Sequence, residues 1–439
     1  MYSKEEEQIM KLKKKYDAME ISMDALDEAI FAGFHKAKSE EKSGVKKKRW
    51  MYGMAAAAVL LIGFFWSIRF SPVFADYMTN IPGMEKVVEL IRDDKGRMAA
   101  IENKYYQEIG VSQEKNGVKV TIDGAIADEE GMVLFYTINS NQKLKEVNMS
   151  DTELKNRNGK VLEVNGINYG GPHDSESGKK QYTGKLEFFY EKPNDEMRYK
   201  VLFKLKGSHH LDEKFAIDFD LTKKLKIKKV YELNKQITVE EQKITVEKVV
   251  VYPLRVAVYL KEHQDNTKRI LNFDGIRLVD ESWESWGTSS GLTSIKEEED
   301  EHVYYLQSNY FRKTQELYLV MNQIQVIDKS NDKLVVDTEK RKILKQPDKE
   351  LFRDMKVKKN SLSFKMHTKK PFHFMPFSNA TDGNGKEIEY HSAFGSTPNH
   401  RPSEVGIDIK SVKKYKNPIT IDFSFYPKWI HGDVKIRIH

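Results

Sequence analysis

The chain has 439 residues, enough for two or three domains, and is 39% hydrophobic and 32% charged. That balance excludes a wholly disordered polymer, and a net charge of +7 is too modest at this length to mark a nucleic-acid binder. There is no cysteine, which excludes disulfide staples, thiolate metal sites and cysteine nucleophiles, so any folded part rests on its own core.

In chain order the first element is a head, residues 1–49. Its first twenty residues are charge-rich, with Glu5 to Glu7 and Lys13 to Lys15. The segment 21–38, ISMDALDEAIFAGFHKAK, differs. Leu26, Ile30 and Phe34 recur every four residues, with Met23 one turn earlier and Phe31 alongside, which predicts an amphipathic helix. Asp24 suits the N-cap, Asp27 and Glu28 the first turn, and Lys36 and Lys38 the last. A head with a single apolar stripe cannot build a core, so the stripe needs a partner protein, a membrane surface or a second copy. Its acidic residues would meet anionic headgroups unfavourably, which favours a groove on a protein partner.

Lys46, Lys47, Lys48 and Arg49 run into the uncharged stretch Trp50–Ile68, and the next charge is Arg69. A helix over these residues is about 29 Å long, the thickness of a bilayer core. Trp50, Tyr52 and Trp66 sit near its ends, where aromatic rings favour the headgroup level. The expectation is one transmembrane helix, 50–69. The cationic flank places the N-terminus in the cytoplasm and the bulk of the chain outside the cell membrane. Val73 and Ala75 ahead of Asp76 have the small-residue spacing of a signal-peptidase site. A 49-residue leader is too long for an ordinary signal peptide, so we expect an uncut single-pass anchor, with any cleavage there regulatory.

Residues 70–111 read as a juxtamembrane helical segment. Pro82 suits a first turn, Met84, Val87, Val88 and Ile91 form a stripe, Gly96 ends it, and a second short helix follows. From residue 112 the apolar period changes to two. Three passages of alternating strands each carry a turn glycine, Gly159, Gly275 and Gly385, spaced by 116 and 110 residues. That spacing is one sandwich domain. The expected fold is therefore mainly β: tandem immunoglobulin-like β-sandwiches at 112–228, 237–345 and 355–439, with Lys345–Glu350 as a linker.

Few residues suggest chemistry. His391, His400, His431 and His439 invite a metal reading, but none has helical ligand spacing. Asp382 opens a stretch that resembles a calcium loop in its first positions only, and a hairpin turn explains it better. Trp283 and Trp286 lie among acids in DESWESWGTSSG; exposed, they would stack on sugar rings or bind a peptide, and the more ordinary expectation is core packing. There is no HExxH pair and no Gly-rich phosphate loop. We expect no enzyme, no cofactor and no metal.

The head segment MDALDEAIFAGFHKAKSEEK, the apolar span, and the stretches SPVFADYMTNIPGMEKVVELIRDDKG and NGVKVTIDGAIADEEGMVLFYTI together resemble the single-pass membrane anti-sigma factors of Gram-positive bacteria, negative effectors of extracytoplasmic-function sigma factors. The likeness covers about residues 21–140. It implies that the head helix holds a sigma factor at the membrane, with Leu26, Ile30, Phe31 and Phe34 as its contact face. It also implies that the outer β region meets a signal, an extracellular protein or a cell-wall ligand. The sequence departs from the family in having Asp24 where a proline is common, and its head carries no zinc-binding His/Cys cluster. The opposing reading is a surface-anchored structural or adhesion-like module with no sigma partner. A pure anchor has no use for the Leu26, Ile30 and Phe34 stripe.

Overall fold

The architecture comes from a computed structural model that describes residues 84–439, except 172–173, 225–227, 289–293, 297–299, 349 and 396–402. These lie in one compact unit, Met78–His439. The head helix, the span, the cationic run Lys46–Arg49 and the Val73–Asp76 site lie outside the described residues. Among the described residues no helix is long and apolar enough to cross a membrane. The described chain is mainly β, in several sheets, preceded by two short helices.

Helix α1, Met84–Ile91, buries Met84, Val87 and Ile91, as its stripe requires. Gly96 does not end it. The chain breaks at Asp93 and Asp94 instead, and Gly96 falls in the first turn of α2, Lys95–Glu102. Asp94 caps α2, its carboxylate accepting the Arg97 N–H at 3.0 Å.

The first β domain has seven strands: β1 (Gln107–Lys115), β2 (Val118–Ala127), β3 (Gly131–Asn156), β4 (Val164–Gly170), β5 (Asp174–Tyr190), β6 (Arg198–Gly207) and β7 (Leu211–Asp220). They form two layers, β1, β2, β3, β5 and β4 in one and β3, β6 and β7 in the other, made continuous by one shared strand. That strand is β3, 26 residues long, whose first half pairs with β2 and β5 and whose second half pairs with β6. Its length carries the sheet around a single core that includes Ile122, Leu134, Phe188, Val201 and Phe215. The edges β1 and β7 are tied by side chains, Gln113 Oε1 accepting from Ala216 N at 2.9 Å.

The second domain packs two five-stranded sheets around its own core. Here the expected limits need correction. Strands Lys333–Asp337 and Lys342–Lys345, placed above in the second unit, pair within a four-stranded sheet of the third. Strand Trp429–Arg437, placed above in the third unit, pairs with Leu317–Asp328 in the second. Lys345–Glu350 is thus a connection inside the third domain. The third domain is an insertion between two neighbouring strands of the second. Its core, which includes Leu334, Phe352, Phe364 and Phe423, is again its own. Strand alternation shows which residues face inward, but not which distant strand supplies the partner.

The repeat is real in one local structure. At Asn156 and at Asp382 the side-chain Oδ1 accepts the N–H groups two and four residues on, at 2.9–3.0 Å. The fourth residue of each turn is a glycine in the left-handed region, Gly159 at φ 79° and Gly385 at φ 77°. Strand pairs flank both turns, Lys155 with Val161 and Thr381 with Glu387. The counterpart in the second domain is not the turn of Gly275. It is Asp280–Glu284, where Asp280 Oδ1 accepts from Ser282 N and Glu284 N at 2.9 and 2.8 Å, and Val279 pairs with Ser285. Its left-handed position is held by Trp283, at φ 66°.

Candidate functional site

The elements converge on one face of β5. Leu186, Phe188 and Tyr190 point into the first core. Lys185, Glu187 and Phe189 occupy the opposite face, as the period of a strand dictates. An outer face bearing Lys and Glu is ordinarily solvated, yet all of residues 184–190 are buried. The two helices and the second domain cover them.

Arg97 reaches Glu187 from α2 in a two-pronged pair, Nη1 to Oε1 at 2.6 Å and Nη2 to Oε2 at 2.8 Å. Its Nε lies 3.2 Å from Asp94 Oδ2. Lys185 Nζ is 2.7 Å from the same Glu187 carboxylate. Two cations and two anions thus neutralise one another out of water. Burial works to raise the Glu187 carboxyl, but Arg97 and Lys185 override it and hold its pKa below the ordinary value. Burial works to lower the Arg97 pKa, and Asp94 and Glu187 reverse it, keeping the guanidinium charged.

The other side of α2 meets the second domain. Lys95 N donates to Gln307 Oε1 at 3.1 Å, and Gln307 Nε2 donates to Asp93 O at 3.1 Å. Lys95 Nζ donates to Ser285 O at 2.9 Å. Gly96 lies so near Ser308 that an added Cβ would stand 2.6 Å from its backbone nitrogen, so only glycine allows this approach. Tyr105 and Phe311 extend the contact, their ring centroids 5.2 Å apart.

The two β domains also touch directly. Asp128 Oδ1 accepts from Glu130 N and Gly131 N, and its Oδ2 accepts from Leu254 N of the second domain, all at 3.0 Å. Burial pushes the Asp128 carboxyl up, against the pull of Arg255 and these N–H groups. The Arg255 guanidinium lies over Phe189 at 4.2 Å and over Tyr305 at 5.4 Å, one ring from each domain. What this joint does is couple. The helix pair, the first domain and the second are keyed together through Arg97, Glu187, Asp128 and Arg255, so moving one strains the others.

The residues singled out in the sequence lie elsewhere. Leu26, Ile30, Phe31 and Phe34, with Lys46–Arg49, Val73, Ala75 and Asp76, are outside the described residues, as is His400. His439 stacks on Tyr231 at 5.1 Å. The backbone N–H of His431 donates to Glu240 Oε1 at 3.0 Å. Among the described residues no three His, Cys, Asp or Glu side chains are grouped to hold a metal ion. Trp286 is core and Trp283 is 68% exposed. Gly287–Gly291 spells Gly-x-Ser-x-Gly, a pattern the sequence reading missed, and its residues 289–291 lie outside the described residues. The sequence reading missed the joint because its residues are spread over the chain. The available clue was Asp94 placed to cap Arg97, in a helix whose residues Gly96–Ile101 are buried all round.

Residues 46–140 match a family model described as a domain of unknown function, DUF4179. Residues 228–352 match a second, described as a family of unknown function, DUF5643. The first match covers both helices, β1, β2 and the start of β3. No curated protein matches the chain. Among solved structures, the conserved domain protein from Bacillus anthracis is 17% identical over 55% of this chain and 84% of that one, with a TM-score of 0.39. The cycloalternan-forming enzyme from Listeria monocytogenes is 8% identical over 68% of this chain and 29% of that one, with a TM-score of 0.15. A marsupial T cell receptor is 13% identical over 72% of this chain and 99% of that one, also at 0.15. Likenesses at these TM-scores carry no inference about fold or activity.

Proposed function

We propose that the chain is a membrane-anchored anti-sigma factor. Its cytoplasmic helix sequesters an extracytoplasmic-function sigma factor, and its β region senses a signal or partner outside the cell. The observation that carries this reading is the stripe Leu26, Ile30, Phe31 and Phe34, on a head too short for a core, just before a cationic run and an uncharged span. The joint around Arg97 supports it. A sensor needs its outer domains mechanically coupled to the segment entering from the membrane, and the first described helix begins at Met84, eight residues beyond Asp76. A ligand that favours one arrangement of that joint shifts the equilibrium only by its difference in affinity for the two arrangements.

The test is recovery of a sigma factor from lysate of the source cell by residues 1–49, beside a Leu26→Asp/Ile30→Asp control. Recovery by the wild type and loss in the control are expected. If neither peptide retains a sigma factor, the head is only a topology device.

A further inference from the structure

In the second domain the left-handed position of the turn is held by Trp283. The first and third domains put glycine at the left-handed position of the turn, as that conformation favours. The second puts there the bulkiest side chain and leaves it 68% exposed. Burial therefore does not explain it. The turn is fixed from both sides. Asp280 holds it from within, and the Glu281 carboxylate accepts from Gln315 N and Glu316 N at 3.2 and 3.1 Å. Among the non-glycine residues at positive φ, Trp283 is set apart by a large ring left in solvent, which makes it a candidate for use rather than packing.

The surroundings of the ring indicate the ligand. Lys435 Nζ lies 4.9 Å from the Trp283 ring centroid and 3.9 Å from that of Tyr318. The Tyr318 hydroxyl donates to Glu316 at 2.7 Å, and Glu316 is 3.2 Å from Arg437 Nη2. Two aromatic rings thus flank an ammonium on the outer face of a sheet, with polar groups at the rim. A peptide adding beside Tyr318 or Lys435 meets no open ladder among the described residues. Leu317–Asp328 is paired on both sides, and the far edge of Trp429–Arg437 is engaged by Lys235 and Glu240. Ring stacking with a cation alongside fits a sugar that carries a negative group.

We propose that Trp283, Tyr318 and Lys435 form a binding platform for a pyranose ring bearing a carboxylate. The site goes beyond the regulator reading and stands or falls separately from it.

The full chain in mild detergent would be titrated with a tetrasaccharide of alternating N-acetylglucosamine and N-acetylmuramic acid, whose carboxylates are free, and with uncharged chitotetraose. The carboxylated sugar is expected to bind at least about tenfold more tightly. Trp283→Gly should lose binding at least about tenfold while melting about 2–4 °C higher, because the turn then has the residue its sisters use. Lys435→Gln should weaken the charged sugar and leave the uncharged one unchanged. Failure of the wild type to bind either sugar overturns the site, as does Trp283→Gly binding normally. A lower melting point in Trp283→Gly makes Trp283 a structural residue and also overturns it. Equal binding of both sugars, untouched by Lys435→Gln, overturns the requirement for charge.

Discussion

The two joints of the β region are built on different principles. The first and second domains meet through side chains: the buried Arg97–Glu187 pair, the Asp128 carboxylate on Leu254 N–H, and Arg255 between Phe189 and Tyr305. The second and third are joined by the chain crossing twice. It leaves after Leu317–Asp328 and returns as Trp429–Arg437, with Val326 N donating to Lys428 O at 3.0 Å between the crossings. A side-chain joint opens without breaking any strand ladder. A double crossing ties the third domain to one sheet of its host at two points, and side chains brace it there, Arg269 with Asp332 and Lys428 with Asp328. The first is suited to a switch and the second to a rigid arm.

Breaking the side-chain joint should have the largest effect. Arg97→Ala leaves Glu187 buried beside Lys185 alone and should cost about 3–5 kcal/mol. Denaturant unfolding measures the loss, and limited proteolysis should show new cleavage between residues 84 and 106 while the second and third domains stay protected. Replacing the pair together, Arg97→Met with Glu187→Leu, should cost far less, because the penalty belongs to the orphaned charge.

At the double crossing, Trp429 donates from Nε1 to Asp274 Oδ2 at 2.6 Å and packs on Phe372. Trp429→Ala should cost about 2–3 kcal/mol, less than a fully buried ring because Trp429 is only partly buried. The second and third domains should still melt together. Separate melting transitions would sink the claim of a rigid arm.

Acid sharpens the contrast. The Glu187 pKa is lowered in the folded chain, so its contribution is fully present above its ordinary value of 4.5 and is lost as pH falls through the folded value. Asp128 runs the other way: its pKa is raised, so the cost of its buried charge is relieved as pH falls. The first joint should therefore lose its Glu187 stabilisation on acidification below pH 4.5, and Glu187→Gln should flatten that part of the stability–pH curve.

The smallest effects concern the turns. Gly159→Ala and Gly385→Ala should each cost about 1 kcal/mol, because alanine resists the left-handed region. Trp283→Gly should gain about the same. Thermal melting of the three variants gives the signs.

How much of this was legible in the sequence follows from where each signal resides. The turns at Asn156 and Asp382 were readable, since Asn-Gly is itself the instruction for a left-handed residue. The matching turn at Asp280 was not, because tryptophan erases the glycine mark, and Gly275 stood nearby as a decoy. The strands were readable from alternation. The boundary near residue 345 was not, because a strand's partner lies far away in the chain. Glu187 looked like any outward polar residue in GKLEFFY, and nothing local says that a helix ninety residues earlier will cover it.

The inserted third domain also sets an order of assembly. Leu317–Asp328 takes its neighbour from about a hundred residues further on. Until Trp429–Arg437 has emerged from the ribosome, the second core lacks Ile430 and Ile436. The second domain therefore closes only after the third has been made. A nascent chain truncated in the third domain would spoil a neighbour whose own coding is almost complete, and the half-built sheet, with an unpaired edge, is the species a chaperone would have to shield.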